Sequence, residues 1–141
     1  MKVRDIMSKD IASLNSNDSI ERAAQLMKQY DVGSIPVCTN DRVIGIVTDR
    51  DIAIRNVASG QNPRQNIGDI MSKDVVVGNP DMDVRDAARL MSDRQIRRLP
   101  IVENNSLIGI VALGDISLEP ACQNNAGQAL KNISEPGGNI R

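Results

Sequence analysis

Residues 45–52 read GIVTDRDI and residues 109–116 read GIVALGDI, an offset of 64 positions. With the same offset, DIMSKD occurs at residues 5–10 and again at 69–74. The alignment between these points needs no gap, and self-similarity at one fixed offset indicates two copies of one supersecondary unit. One copy alone has too small a core to be stable, so we expect the two copies to pack on each other.

Each copy predicts the element order β-α-β-β-α. An apolar run leads into a helix with apolar residues at i, i+3, i+4 and i+7, and the helix N-cap is Ser19 in the first copy and Asp83 in the second. Two β-rich runs joined by a turn and a final helix complete the copy. The predicted strands lie at 11–14, 35–38 and 43–47 in the first copy and at 75–77, 99–102 and 107–111 in the second, and the final helices begin near Asp49 and Leu113.

The predicted fold class is therefore α/β (α+β), with two β-α-β-β-α repeats about a pseudo-twofold axis. Repeat 1 spans 1–58 and repeat 2 spans 67–118, joined by a linker at 59–66 that holds glycine and proline among polar residues. Apolar residues at helical spacing predict a short C-terminal helix and tail within 119–141.

Composition excludes several classes of function. The chain of 141 residues has 17 Lys and Arg against 18 Asp and Glu, and it has no His, Trp or Phe. Without His, the usual nucleophile–base arrangements and most zinc sites are absent, and the distant Cys38 and Cys122 form neither a redox pair nor a metal cluster. We therefore expect no enzyme activity and no metal site. The balanced charge and the single aromatic residue, Tyr30, make nucleic acid an improbable partner.

No apolar run is long enough to span a bilayer, and the N-terminus lacks the apolar stretch of a signal peptide. We expect a cytoplasmic protein without a membrane partner. The two cysteines are then expected to be free thiols, with Cys38 in the core.

The doubled pattern of DIMS, a helix, IPV and GIVTDRDI resembles the CBS (cystathionine-β-synthase) domain pair, or Bateman module. The resemblance covers roughly residues 1–118. The small stand-alone bacterial proteins of the hypoxic-response type are the most similar class. The resemblance implies a module that binds an adenosine-containing ligand such as AMP, ADP or ATP in clefts between the repeats, and that forms a homodimer.

The resemblance also implies which residues bind the ligand. Thr48 matches the family position near phosphate, and Asp51 matches the position that accepts the ribose hydroxyls. Arg50 lies between them, and Arg97 and Arg98 match basic positions that reach phosphates. The expected adenine slot consists of Ile11, Ser13, Ile35 and Pro36. The second cleft is expected to be weaker and is lined by Asp115, Ala112, Val75, Val77, Leu99 and Pro100.

A second interpretation of Thr48 and Asp51 needs no ligand. The sequence Thr48-Asp49-Arg50-Asp51 is close to a capping box, in which both side chains satisfy backbone donors of the helix. The same carboxylate can accept two vicinal hydroxyls, and a hydroxyl at a helix N-terminus suits phosphate. The sequence is compatible with both the capping and the ligand-binding interpretation of Thr48 and Asp51.

The repeats differ where the ligand is expected. Repeat 2 has Ala112 in place of Thr48, whereas Arg97 and Arg98 replace Gly33 and Ser34 of repeat 1. We therefore expect one good site that combines Thr48, Arg50 and Asp51 with the two arginines. Arg89 and Arg94 are expected to lie at a solvated helix end, where cations interact favourably with the C-terminal dipole, and to bind no ligand.

The function expected from these observations is a non-catalytic regulatory sensor without a cofactor other than a bound adenine nucleotide. An unknown effector protein would respond to the ligand. The alternative is a ligand-free dimeric scaffold for protein interactions.

Overall fold

The computed structural model describes residues 1–135, with the side chains of all of these except Ala121 and Gln123. It divides into two compact units. The first-repeat unit is Ile11–Val75, and the second-repeat unit is Met1–Asp10 together with the described residues from Val76 to Glu135. The predicted mixed α/β fold class is confirmed. The predicted tail lies partly at 136–141, outside the described residues.

In the first-repeat unit, the long helix α1 packs on a small sheet. Strand β1 pairs parallel with β2, and β2 pairs antiparallel with β3. The Ser19 side chain accepts a hydrogen bond from the Arg22 N–H and begins α1, as predicted. The elements are β1 (Leu14–Asn15), α1 (Ile20–Tyr30), β2 (Ser34–Thr39), β3 (Arg42–Thr48), the single turn α2 (Asp49–Asp51), which continues as π-helix over Ile52–Val57, and a 3₁₀ turn at Ile67–Asp69.

The second-repeat unit follows the same order, and its β4 and β5 are antiparallel. The predicted strand at 75–77 is wrong, because only Gly78 forms a bridge there, to Ile101. The elements are a 3₁₀ turn at Val3–Asp5, α3 (Val84–Arg94), β4 (Arg98–Glu103), β5 (Ser106–Ala112), α4 (Leu113–Ser117), a 3₁₀ turn at Pro120–Cys122 and α5 (Gln123–Ile133). Helix α5 packs on α3 and α4 through the buried residues Ala126, Ala129 and Ile133. No helix among the described residues has the length and apolar character needed to cross a membrane.

Each DIMSKD segment belongs to the unit of the other repeat. Ser8 exchanges backbone hydrogen bonds with Ile110 of β5, at N···O distances of 2.9 and 3.0 Å. Ser72 does the same with Ile46 of β3, at 2.8 and 2.9 Å. The sequence-based division at 1–58 and 67–118 follows the repeats, whereas the compact units exchange residues 1–10 and 67–75.

Two glycines admit the exchanged segments. A Cβ on Gly45 would lie 2.5 Å from the Met71 sulfur and 3.0 Å from the Ser72 carbonyl oxygen. A Cβ on Gly109 would meet Met7 and Ser8 at 2.7 and 3.0 Å. The glycine in each I-G-I-V sequence is thus required for the close approach of a methionine segment.

Candidate ligand-binding site

The turn after β3 forms a complete capping box. The Thr48 hydroxyl oxygen accepts the Asp51 N–H at 3.0 Å, and Oδ2 of Asp51 accepts the Thr48 N–H at 2.9 Å. Thr48 is buried, and the Asp51 side chain is 15% exposed. The capping interpretation of these two residues is therefore confirmed as local geometry.

Capping leaves both side chains with unused hydrogen-bonding capacity. A threonine hydroxyl that accepts one hydrogen bond still has its own proton to donate, and a carboxylate has a second oxygen. Oδ1 of Asp51 lies 3.9 Å from Nε of Arg55, too far for a hydrogen bond. The cap holds Asp51 in place while Oδ1 remains able to accept a hydroxyl, so capping and ligand binding are compatible.

The backbone at this turn offers less to a phosphate than the sequence suggests. The Asp49 N–H donates to the Gly33 carbonyl at 2.9 Å, and the Arg50 N–H donates to the Asp49 carboxylate at 2.8 Å. The Asp51 N–H is taken by Thr48. Because these three donors are satisfied, an anion here would depend on the Thr48 hydroxyl and on side chains such as the exposed Arg50.

The turn after β5 repeats the backbone of this site without its hydroxyl. Oδ2 of Asp115 accepts the Ala112 N–H at 2.9 Å, matching the bond between Asp51 and Thr48. Ala112 has no side-chain acceptor for the helix, so only half of the capping box forms. α4 ends at Ser117 without the π-helical turns that extend α2.

Arg97 and Arg98 lie at the start of β4 in the second-repeat unit. The Arg97 carbonyl accepts the Leu113 N–H at 2.8 Å, which fixes its backbone beside the Ala112 turn. Arg98 pairs in register with Ala112, so the two side chains share one face of the ladder. Arg97 is exposed and Arg98 half-buried. Their expected role with Thr48 joins residues of two units and stays a prediction.

Ile35 of the expected adenine slot and Leu99 of the expected second cleft both lie in the apolar cores. Ile35 and Leu99 are fully buried, each within the apolar cluster of its own unit. Alternation along β2 and β4 turns these side chains inward, so they are unavailable to a ligand on an open surface. A ligand contact of Ile35 or Leu99 stays a prediction.

The remaining apolar positions show a range of exposure. Pro36 and Pro100 follow Ile35 and Leu99 and lie on the opposite faces of their strands. Ile11 and Val75 are half-buried, Ser13 and Val77 are exposed, and Pro36 and Pro100 are buried.

One contact near the turn was not anticipated from the sequence. Nη1 of Arg55 donates to the Ile70 carbonyl at 3.1 Å, and its Nε faces Asp51. The signal was present, because Asp51 and Arg55 are four residues apart, a spacing at which opposite charges meet on a helix.

Cysteine and carboxylate side chains are the other groups of the chain that could react or bind a metal. Both cysteines are buried free thiols, as predicted, and burial together with the charge of Asp41 raises the pKa of Cys38. Within residues 1–135, no group of three His, Cys, Asp or Glu side chains could hold a metal ion. A surface depression near the start of α3 is lined by Asp83, Arg85, Asp86, Arg89 and Asn125 and includes none of the predicted site residues.

The family model for the CBS domain matches twice, at residues 3–55 and 67–120. The chain belongs to the CBS domain family. It is 47% identical over 132 residues to the CBS domain-containing protein YhcV of Bacillus subtilis, covering 94% of both chains. It is 31% identical to hypoxic response protein 1 of Mycobacterium tuberculosis, over 81% of each chain. The predicted family and class are confirmed.

Solved structures of CBS domain pairs have the same fold. A crystal structure of Hypoxic Response Protein I, described with two coordinated zinc ions, aligns at a TM-score of 0.78 with 30% identity, covering 84% of this chain and 98% of that one. The CBS domain pair of protein MJ0100, in complex with 5′-methylthioadenosine and S-adenosylmethionine, aligns at 0.74 with 31% identity, covering 84% and 94%.

Proposed function

We propose that this CBS domain pair is a non-catalytic regulatory module that binds an adenosine-containing ligand at Thr48 and Asp51 of repeat 1. The observation that carries the proposal is the Asp51 carboxylate. One oxygen is fixed by the Thr48 N–H at 2.9 Å, and the other is held in place without a hydrogen bond. A pre-oriented acceptor suits the vicinal hydroxyls of a ribose, because little side-chain freedom remains to be lost on binding.

Ribose recognition anchors the ligand at this site, and phosphate recognition is secondary. The first three N–H donors of the turn are already used, which leaves the Thr48 hydroxyl and Arg50 for an anion. A ligand without phosphate therefore meets the main requirement of the site. This agrees with the related CBS domain pair that was solved with 5′-methylthioadenosine and S-adenosylmethionine.

The test is a calorimetric titration of the protein with 5′-methylthioadenosine, S-adenosylmethionine, AMP and ATP. Asp51→Asn keeps an acceptor for the Thr48 N–H but removes the charge, so we expect affinity for every bound probe to fall about tenfold or more. Asp115→Asn is the matched control in repeat 2 and should change that affinity less than twofold. Equal losses in the two variants, or no binding of any probe by the wild type, would contradict the proposal.

A second candidate function, self-association as a scaffold, is favoured by exposed apolar side chains. Ile54 is 54% exposed and Leu118 is 79% exposed, and the two occupy equivalent positions at the offset of 64. Val57, also exposed, lies one turn beyond Ile54. Isolated exposed apolar residues are common, but the same position left apolar in both repeats favours a contact with a second copy.

Sedimentation of the wild type and Ile54→Lys tests self-association. We expect the wild type to sediment as a homodimer, and the variant to sediment more slowly at the same concentration because a buried charge disfavours the interface. Arg22→Glu, an exposed change on α1, is the control. A monomeric wild type would contradict the proposed homodimer.

A further inference from the structure

Arg55 lies between the proposed ligand carboxylate and the exchanged DIMSKD segment at 69–74. Its Nε lies 3.9 Å from Oδ1 of Asp51, and its Nη1 donates to the Ile70 carbonyl at 3.1 Å. Ile70 is almost fully buried and directly precedes Met71 and Ser72. The Arg55 guanidinium thus faces the carboxylate of Asp51 on one side and donates to the exchanged DIMSKD segment on the other.

The segment reached by Arg55 is firmly joined to the sheet. Met71 lies over Gly45, and Ser72 pairs with Ile46 through two backbone hydrogen bonds. The Ile70 N–H and the Met71 N–H both donate to the Ile67 carbonyl. A movement of Arg55 would therefore be transmitted to a segment that is fixed by its own short backbone hydrogen bonds.

Repeat 2 has no such connection. The residue equivalent to Arg55 is Glu119, which cannot donate to a carbonyl and carries the same charge as Asp115. The residue equivalent to Ile70 is Ile6, in the other DIMSKD segment. Arg55 and Glu119 differ in the sign of their charge as well as in shape, because an arginine attracts the aspartate carboxylate and a glutamate repels it.

We propose that Arg55 is the positioning residue of the ligand site, holding Asp51 for the ribose and coupling its occupancy to the Ile67–Ser72 segment. This inference rests on the proposed function of Asp51. When a ligand hydroxyl donates to Oδ1, the arrangement of Asp51, Arg55 and the Ile70 carbonyl is stabilised, and the segment becomes more ordered. Coupling between sites is reciprocal, so loosening the segment weakens the ligand to the same extent.

The test compares Arg55→Gln, Arg55→Lys and Arg55→Glu with the wild type in two measurements. The first is the affinity for 5′-methylthioadenosine, AMP and ATP. The second is the amide hydrogen exchange of Ile70, Met71 and Ser72 with and without the probe that binds best. Arg64→Gln is the control, because it removes an exposed arginine of the linker whose side chain forms no hydrogen bond or ion pair within residues 1–135.

We expect Arg55→Gln to bind about threefold more weakly, and Arg55→Glu, which copies repeat 2, about tenfold. Arg55→Lys should recover part of the affinity, because it restores the charge without the planar fork that reaches both partners. In the wild type and Arg64→Gln, the probe should slow exchange at Ile70–Ser72. In Arg55→Gln and Arg55→Glu, the probe should no longer slow it.

The outcomes separate this inference from the proposed function. If the wild type binds a probe and all three variants bind it equally, Arg55 has no positioning role and only the inference fails. Weaker binding with unchanged ligand-dependent exchange would also overturn the coupling. If the wild type binds none of the probes, the proposed function fails and the inference fails with it.

Discussion

The turns that follow β3 and β5 have the same backbone but different side chains. In both, an aspartate accepts the N–H of the last strand residue at 2.9 Å. Around that shared bond, repeat 1 places Thr48 and Arg55, whereas repeat 2 places Ala112 and Glu119. The two repeats thus share the backbone frame of this turn, whereas the threonine hydroxyl and the arginine occur only in repeat 1.

The largest expected effect tests the shared frame. Gly45→Val and Gly109→Val should each lower the free energy of unfolding by about 1–3 kcal/mol, because each new side chain collides with a methionine and with a backbone carbonyl. Urea denaturation measures both. Gly114→Ala is the control, since its Cβ would meet nothing within 4 Å. A harmless Gly45→Val would show that the Met71 segment does not lie against β3.

A gain of stability tests the difference between the turns. Ala112→Thr should complete the capping box of repeat 2 and raise the free energy of unfolding by about 1 kcal/mol, because its hydroxyl can accept the Asp115 N–H. Thr48→Ala should lose about as much. The matched control is Ala112→Val, which has nearly the same volume and no acceptor. If valine stabilises as well as threonine, packing rather than capping explains the gain.

The smallest expected effect is a loss of stability at low pH near the start of α3. Contacts of Arg85, first its side chain and then its backbone N–H, lower the pKa of Asp83 to about 2, below the ordinary 3.8. A hydrogen bond from Arg4 likewise lowers the pKa of Asp81. A depressed carboxyl pKa stabilises the fold above about pH 4, and this stabilisation is lost as pH falls towards 2. The equivalent residues of repeat 1, Asn17 and Ser19, do not titrate.

Hydrogen-exchange protection measured between pH 4 and pH 2 checks this difference. Protection at the start of α3 should fall relative to protection at the start of α1 as the pH is lowered. Asp83→Ser, which installs the residue of repeat 1, should remove the difference. An equal fall in both helices would contradict it.

Much of the fold was predictable because the controlling signals are local. Ser19 and Asp83 cap their helices as predicted, and the predicted turn between the two β-rich runs of each copy forms at Asn40-Asp41 and Asn104-Asn105, with positive φ. The offset of 64 between the copies supplied an internal check on each element. Thr48 and Asp51 were found as a pair, because the spacing of a capping box is also local.

What could not be predicted depends on contacts between distant residues. DIMSKD lies near the start of each repeat in sequence, and nothing local indicates that it pairs with the sheet of the other repeat. The burial of Ile35 and Leu99 in the cores could not be predicted either, because the direction of a side chain depends on which face of the strand the core covers. The contact of Arg55 with Ile70 spans 15 residues and follows from the exchange.

The central claim is that only the first repeat carries a complete ligand site. The most direct test is the stoichiometry of binding, measured by calorimetric titration with 5′-methylthioadenosine and with AMP, on protein first freed of ligand by unfolding and refolding. We expect one tight site per chain, weakened about tenfold or more in Asp51→Asn and retained in Asp115→Asn. Two equivalent sites per chain, or a single site that depends on Asp115, would contradict it.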